Sequence, residues 1–506
     1  LAVISPAKLL ALLAEPLRLL RNERRGSEGR ATTLRAMIEW SYRLLSEDER
    51  SLFRRLAVLA GTFSIDTLVV LGPEHGGGAA FDVLASLVAK SMVVTQGEDE
   101  DGEQRFRLFE STRAFALEQL VAEGEREATE RCFVAGISDA VRQRAKSLYT
   151  LGERHWLDGI ERDFDNVRAA LELAFGPLDD AEAGAEIAVS LGFFWHARRP
   201  QEGKHWLRRT RERADAFPQS LQARVFLESA RVDVASANVV EFSERAVDGY
   251  RAAGDAPGLA RALEYLGQSL INLGRSADAV AVLDESVALG EGAAASARSR
   301  ALRGVAALLA GFDTAAAARD LESALPALTG AGRTRDASLA LRGLAWLAGV
   351  DGRYDEALES AGRALALCES LHDPRGMALL HNELAFWYLR LERLADARAN
   401  ALEALRLAQN AEIPLTFNAI VLAGTLALGG RPRGAARALG FVDRPDPVSL
   451  LPFVTRYRSD IVQVLRARLG DEAFEAEAHS GDALSAAGLL RLFEEENAAP
   501  SVSGAV

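Results

Sequence analysis

At 506 residues, with 49% hydrophobic side chains and a mean hydropathy near zero, the chain has room for several domains and large buried surfaces. A formal net charge of −13 and an isoelectric point near 5.3 argue against a general nucleic-acid binder, whose footprint is basic. Cys132 and Cys368 are too few for a disulfide framework or a zinc site and point to a reducing cytoplasm, and no apolar run of about 18 residues is present to span a membrane.

The chain opens on Leu1 in the middle of a helical pattern, as a piece whose beginning lies upstream would. Pro6, Lys8, Glu15 and Pro16 interrupt LAVISPAKLLALLAEPLRLL and exclude a secretory signal. Residues 1–29 give one apolar-periodic helix running into a basic linker, RNERRGSEGR. A compact unit is expected over 30–124. TLRAMIEWSYRLL is amphipathic and would bury Leu34, Ile38, Tyr42 and Leu45. Ser46 and Glu49 form a capping box for the next helix, EDERSLFRRLAVLA, which Gly61 ends. A short helix at Ile65–Leu71, a loop at Gly76, Gly77 and Gly78, and the helix FDVLASLVAKSMV follow. SMVVTQ and QRFRLFE read as two strands with EDEDGE as their turn, and STRAFALEQLVAEGE closes the unit.

Three helices and a terminal hairpin make a winged helix. Its third helix, Phe81–Ala89, is nearly all apolar, with Asp82 as its charge and Lys90 at its end. The wing carries Glu98, Asp99, Glu100, Asp101 and Glu103, which would repel phosphate. The expectation is therefore no direct contact with nucleic acid.

Residues 125–178 give a helical connector containing ERDFDNVRAALELAF. Over 179–442 a repeat signal emerges: a small residue, a small or polar residue seven positions on, and an Ala about five later. It appears as Gly267–Gly274–Ala279, Gly304–Gly311–Ala316, Ala345–Gly352–Ala357, Ala385–Glu392–Ala397 and Ala423–Gly430–Ala435. Degenerate copies are expected at 191–214, with Gly192 in the first small position, and at 220–255. Such spacing marks stacked helical hairpins of the tetratricopeptide type, whose period is about 34 residues. The small residues let two helices approach, and the middle residue occupies the turn. DRPDPVSLLP breaks the pattern, and three further helices over 443–496 form a cap for the last hydrophobic face. Residues 497–506 read as a disordered tail.

No GxxxxGK[ST], HExxH, GxSxG or CxxC occurs, so neither a cofactor nor a catalytic constellation is expected within these residues. His155 and His205, each preceding a Trp, read as packing residues, and Asp163 and Asp165 as solvated acids. In tetratricopeptide stacks the first helix of each pair lines the concave face. Positions three before and one after the first small residue give Glu264, Gln268, Arg342, Trp346, Asn382 and Phe386 as the candidate partner site, with Phe193 at the matching place in the early copy. Aromatic rings supply contact area there and polar groups orientation. The structural alternative is that Trp346 and Phe386 fill the core between repeats.

TTLRAMIEWSYRLLSEDERSLFRRLAVLAGTFSID, VLASLVAKSMVV and RFRLFESTRAFALEQL together resemble the winged-helix region of bacterial STAND ATPases. These are NB-ARC-type signal-transduction ATPases with tetratricopeptide sensors, including MalT-like and AfsR-like regulators. WLDGIERDFDNVRAALELAF, LGFFWHARRPQEGKHWLRR and LRARLGDEAFEAEAHSGDALS resemble the connector, first sensor repeat and C-terminal end of the same family. The resemblance implies an all-α fold apart from one wing hairpin, with a winged helix followed by a right-handed solenoid. It also implies a nucleotide-binding domain upstream of Leu1, with residues 1–29 the remnant of its helical subdomain, an inducer or protein partner on the solenoid, and ligand-induced self-association of the longer protein. The family's wing offers a His to bound ADP within a Met-His-Asp triplet. Leu108, Phe109 and Glu110 stand there, so the His is missing and Glu110 is expected to cap the following helix. A free-standing repeat scaffold and a DNA-binding winged-helix regulator are the alternative functions.

Overall fold

In the computed structural model, which describes residues 28–71, 78–234, 236, 238–290, 292, 296–411, 415–443 and 452–498, the chain divides into two compact units. Unit 1 holds residues up to Ser147, then His155–Trp195 and Gln201–Phe217. Unit 2 holds Leu148–Arg154, His196–Pro200 and everything from Pro218. The expected helix before residue 28, Gly76, Gly77, most of the proline break and nearly all of the tail lie outside the described residues.

Unit 1 begins with the winged helix: α1 (Glu28–Arg43), α2 (Glu47–Arg55), α3 (Gly78–Ala89), β1 (Val94–Glu98), β2 (Gln104–Arg107) and α4 (Glu110–Ala122). The capping box sets the start of α2. Ser46 N–H donates to Glu49 Oε2 at 2.7 Å, and Glu49 N–H to Ser46 Oγ at 3.3 Å. Phe53, Leu56, Phe63, Leu84, Phe115 and Leu120 fill the core. Ile38, Tyr42 and Leu45 are buried as expected. Leu34 is not: at 38% exposure it lies with Met37 and Trp40 of α1 and Leu44 just after it among exposed apolar side chains. The hairpin is antiparallel and shorter than its sequence suggests. A bulge between Thr95 and Gly97 shifts the register before the pairing resumes at Gly97 with Arg105, and Gly97 takes a φ of +100° that a side chain would disfavour. Gly78 opens α3 rather than sitting in the loop. Glu110 is the first residue of α4, where it meets the helix dipole, while Phe109 holds the cap position without a side-chain bond.

The rest of unit 1 uses α5 (Arg126–Lys146), α6 (Glu153–Arg162), α7 (Phe164–Ala174), α8 (Ala181–Ser190), α9 (Gly192–Arg198) and α10 (Pro200–Arg211), apart from the stretches assigned to unit 2. Asn166 is the bracket that ties α7 to the winged helix. Its Oδ1 accepts the Ala60 and Gly61 N–H groups at 2.9 and 3.0 Å, and its Nδ2 donates to Thr62 O at 2.8 Å. Phe193 is buried with its ring 6.0 Å from that of Trp156, so it is a core residue rather than a partner contact.

Unit 2 is built of helical hairpins: α11 (Gln219–Val232) with α12 (Val239–Ala253), α13 (Ala256–Asn272) with α14 (Ser276–Leu289), α15 (Ala297–Ala310) with α16 (Thr314–Gly330), α17 (Thr334–Val350) with α18 (Tyr354–Ser370), α19 (Pro374–Arg390) with α20 (Leu394–Ala411), and α21 (Thr416–Leu428) with α22 (Pro432–Gly440). The helices α23 (Pro452–Leu469), α24 (Asp471–Gly481) and α25 (Ala486–Ala498) follow. Each helix packs on the next, and first helices also touch one another, α13 on α15 and α15 on α17.

The repeat register is legible in this packing. Gly274, Gly311, Gly352 and Gly430 adopt φ of +75°, +71°, +77° and +74°, and Glu392 fills the equivalent turn at +58°. A Cβ on Gly267 would lie 2.6 Å from Leu283 Cγ, and one on Gly304 would lie 2.8 Å from Leu321 Cγ. Ala279, Ala357, Ala397 and Ala435 are fully buried. The exception is Ala316, which is half-buried while Ala317 takes its place in the core. The turn after Gly311 contains one residue more than its neighbours, so the cap falls on Asp313, and the buried Ala follows the cap by four as it does after Arg275, Arg353 and Arg431.

Candidate functional site

Acids and arginines recur on the first helices of unit 2, and they pair sideways. Arg298 Nη1 lies 3.0 Å from Glu264 Oε2, and Arg298 Nε lies 3.0 Å from Asp336 Oδ1. Arg333 meets Asp336 at 2.8 Å, Arg335 meets Asp373 at 2.8 Å, and Arg342 meets Glu383 at 2.5 Å. The Tyr265 ring lies between two guanidiniums, Arg231 at 5.0 Å and Arg298 at 4.7 Å. The ladder runs from α13 through α15 and α17 to α19. Mutual pairing is what permits so many charges to be buried.

This ladder revises the expected partner site. Glu264 is buried, bonded to Arg298 and to Ser299 Oγ at 2.8 Å, and so belongs to the architecture. Arg342 is likewise held by Glu383. Phe386 is 1% exposed and packs its ring against Phe417 and Tyr457, at 5.6 and 5.2 Å, so here the core alternative is the right one. Gln268 is half-buried and donates to Asn272 Oδ1 at 3.1 Å. Trp346 is half-buried with the Arg342 guanidinium 5.2 Å from its ring centre, and Asn382 is buried. Trp346 Nε1, Asn382 Oδ1 and Glu383 Oε2 have no hydrogen-bond partner in the structure. They are one donor and two acceptors, on Trp346 and on the neighbouring Asn382 and Glu383.

A second feature, absent from the sequence reading, is the segment Leu148–Arg154, which belongs to unit 2. Leu148 is buried, and the Tyr149 ring lies 5.1 Å from the Arg333 guanidinium. A Cβ on Gly332 would come within 3.0 Å of the Tyr149 carbonyl oxygen. Glu153 is 2% exposed and accepts the Arg335 N–H at 3.0 Å. That N–H lies in the first turn of α17, whose own cap residue, Arg333, makes no side-chain cap bond. His196, on the other short stretch of unit 2, is kept neutral by burial and then by Arg335, Arg375 and Arg231.

Burial and Asp336 push the Glu153 carboxyl up to about 7 from 4.5, against the Arg335 N–H and the Arg335 and Arg333 guanidiniums. Between those two values the folded chain binds a proton that the unfolded chain has lost. Stability therefore falls as pH rises through that window and levels off above about 7. Glu153→Gln keeps an acceptor and carries no charge. It is expected to match the wild type near pH 5 and to exceed it near pH 8 by up to about 3 kcal/mol in urea unfolding. A pH-independent difference would contradict this.

In unit 1 the wing is engaged internally. Arg162 Nη1 lies 2.6 Å from Asp99 Oδ2, and Arg162 also donates to Asp101. Burial opposes ionisation of Asp99, yet the Glu103 and Asp101 N–H groups and Arg162 hold its carboxyl below the usual range. Asp163 is no free surface acid, since Arg105 meets it at 2.6 Å. His155 and His205 are exposed, the former 3.6 Å from Asp101, while Trp156 and Trp206 do the packing. The exposed face of α3 offers Phe81, Asp82, Ala85 and Ala89. Lys90, just beyond it, is bound to Glu49 at 2.6 Å. Burial works against the Glu49 charge, but Lys90, Ser86 and the Ser46 N–H lower the carboxyl to about 2. Among the described residues no cluster of His, Cys, Asp and Glu could hold a metal, and no helix is long and apolar enough to cross a membrane.

A family model described as a winged helix-turn-helix domain matches residues 45–121. Two mycobacterial proteins provisionally named HTH-type transcriptional regulators, from Mycobacterium tuberculosis and Mycobacterium bovis, are each 31% identical over 282 residues, covering 53% of this chain and 31% of the relative. The chain thus spans about a third of the length of these relatives. Among solved structures, a STAND protein with a tetratricopeptide repeat sensor from Pyrococcus horikoshii aligns with a TM-score of 0.45 at 14% identity, over 94% of this chain and 72% of that one. A Rap protein complexed with Competence and Sporulation Factor aligns with a TM-score of 0.43 at 13% identity, over 71% and 99%. Residues 45–121 are a winged helix-turn-helix domain, and the chain carrying them is related to mycobacterial proteins named as transcriptional regulators.

Proposed function

We propose that the chain is the sensor and regulatory part of a STAND-type signalling ATPase acting in transcriptional control, without catalysis of its own. Unit 2 binds an inducer or protein partner on its first-helix face, and the winged helix relays that event to a nucleotide-binding domain elsewhere in the protein. The observation that carries this reading is the trio of buried polar atoms without partners, Trp346 Nε1, Asn382 Oδ1 and Glu383 Oε2, on a helical-repeat scaffold. A ligand that pairs them in one state of the protein and not in another shifts the balance between the two. The apolar side chains of Met37 and Trp40 on α1 and of Leu44 just after it, each at least 59% exposed, suit a neighbouring domain.

Direct DNA binding is the second reading, favoured by the winged helix-turn-helix match. Against it stand an apolar α3 face, a Lys90 already bound to Glu49, and wing acids held by Arg162. A phosphate-gripping surface needs free Lys or Arg. Gel shifts of the whole chain with a pool of duplexes at low salt are expected to show no complex. A salt-sensitive complex at micromolar protein or below would replace the relay reading with the DNA-binding one.

A further inference from the structure

We propose that unit 2 holds the main chain of an extended, uncharged peptide across the first helices α17, α19 and α21, and that Asn382 and Asn418 bind its amide groups. The inference rests on the reading of unit 2 as a partner-binding module and names the chemistry of its partner.

The first support is a pair of carboxamides with unmet demands. Asn382 on α19 is 2% exposed, and Asn418 on α21 is 3% exposed. Asn382 Oδ1 lacks a donor and Asn418 Nδ2 lacks an acceptor. Elsewhere the chain meets such demands itself. Asn166 uses both ends of its amide on residues 60–62, and Asn400 Nδ2 donates to the Asp396 carbonyl oxygen. A buried amide atom left unpaired costs stability, and a ligand that pairs it recovers that loss on binding.

The second support is where these groups lie. Asn382 and Phe386 are one turn apart on the same side of α19, and the Phe386 ring meets that of Phe417 at 5.6 Å. Phe417 directly precedes Asn418 on α21. Trp346 stands one turn beyond Arg342 on α17, and Arg342 reaches Glu383 on α19 at 2.5 Å. The groups without partners are therefore spread over three successive first helices. Phe417 and Tyr457, which both meet Phe386, are half-buried, as is Trp346, and these rings offer apolar contact. The outer torsion of an asparagine is soft, so each amide can turn towards a ligand at little cost.

The third support is the chemistry of the unpaired atoms, which are of both kinds. Asn382 Oδ1 and Glu383 Oε2 accept, while Trp346 Nε1 and Asn418 Nδ2 donate. A simple anion or cation serves one kind only. A peptide chain offers N–H and C=O groups alternately, and a carboxamide matches one peptide group donor to acceptor. The neighbouring charges are already paired, Arg342 with Glu383 and Arg335 with Asp373, so a charged side chain gains no counter-ion here. Three helices at spacings of about 8–10 Å correspond to about five or six residues of extended chain at about 3.3 Å each.

The test uses the full chain and a bead library of end-capped hexapeptides without Asp, Glu, Lys, Arg or His. Binders to the wild type are expected. Their affinity should fall by about tenfold or more on the Asn382→Leu/Asn418→Leu variant, and by as much when their central amides are N-methylated. Leucine keeps the branching of asparagine without its polar atoms, so the variant is expected to melt no lower than the wild type. Equal affinity for the two proteins, or indifference to N-methylation, overturns the inference. Should the variant melt early, N-methylation read on the wild type decides, and unchanged affinity overturns the inference. The choice of library separates the two levels. If no uncharged hexapeptide binds while charged peptides or small molecules do, the inference is overturned and the sensor reading stands. No ligand of any kind overturns both.

Discussion

Asp336→Ala is expected to destabilise unit 2 by about 3–5 kcal/mol, the usual cost of breaking a buried ion pair by removing one partner. Asp336 is the junction of the ladder, with Arg298 Nε at 3.0 Å on one oxygen and Arg333 Nε at 2.8 Å on the other. Alanine leaves two guanidiniums facing each other across the vacated site, with Arg298 retaining only Glu264 and its Tyr265 contact. Burial works against the Asp336 charge, but Arg333 and Arg298 hold its carboxyl below the usual range. Its contribution is therefore full above the ordinary pKa of 3.8 and fades only as pH falls below that value. Because Asp336 also raises the Glu153 carboxyl, removing it relieves that anion above about pH 7, and the loss should be somewhat smaller at pH 8 than at pH 5. Asp336→Asn, which keeps an acceptor, should cost less. Urea unfolding followed by far-ultraviolet circular dichroism reads the transition of the variant against the wild type. A shift below about 1 kcal/mol would mean that the arginines find water or other partners and that the ladder is not under strain from desolvation.

Gly440→Ala is expected to be the second large effect. A Cβ there would lie 1.8 Å from the Ala478 carbonyl oxygen, and one on Gly481 would lie 2.0 Å from the Arg437 carbonyl oxygen. Helices α22 and α24 therefore meet backbone to backbone, and neither carbonyl can swing aside as a side chain could. Overpacking typically costs about 1–3 kcal/mol, and a contact this close belongs at the upper end. The readout is early proteolysis in α24 together with a lower melting temperature. Gly362→Ala is the matched control. It lies inside α18 with nothing within 4 Å of the added Cβ, so it should stabilise the helix by about 0.5–1 kcal/mol. Equal melting temperatures for the two variants would contradict the packing of the C-terminal helices.

What could be read from sequence was local. The capping box of Ser46 and Glu49, the acidic turn of the wing and the turn glycines of the repeats each declare themselves within a few residues, and each lies where its pattern places it. The slip from Ala316 to Ala317 has a local cause that spacing alone hides: one extra residue in the turn moves the cap to Asp313. The surroundings of the candidate residues were less legible because two neighbouring helices decide them. Counting from the small residue located Trp346 and Asn382 on first helices, but gave no sign that Glu264 and Arg342 would pair with Arg298 and Glu383 on the first helix of the following hairpin. Phe386 followed the same count into the core, since Phe417 and Tyr457 cover it from residues 31 and 71 positions on in the chain. Glu153 had no signal at all: a cap supplied across 182 residues leaves no trace in the composition of either segment. The same holds for Arg162, which turns the acidic wing from a free surface into a docked one.

The relatives extend well beyond the stretch that this chain matches, and the winged helix is the part for which a family model gives a description. Unit 2 is where the account is most exposed to experiment. Among the six residues picked out by the repeat count, Trp346 and Asn382 alone carry a buried polar atom that has no partner. The most direct measurement is a peptide and small-molecule binding screen on the whole chain and on its Trp346→Ala/Asn382→Ala variant, with melting curves of both. The account predicts ligands that bind the wild type and lose at least tenfold on the variant, while helical content and melting temperature stay nearly unchanged. Ligands that bind both proteins equally, or a variant that melts early, would place these residues in the scaffold and the sensor site elsewhere.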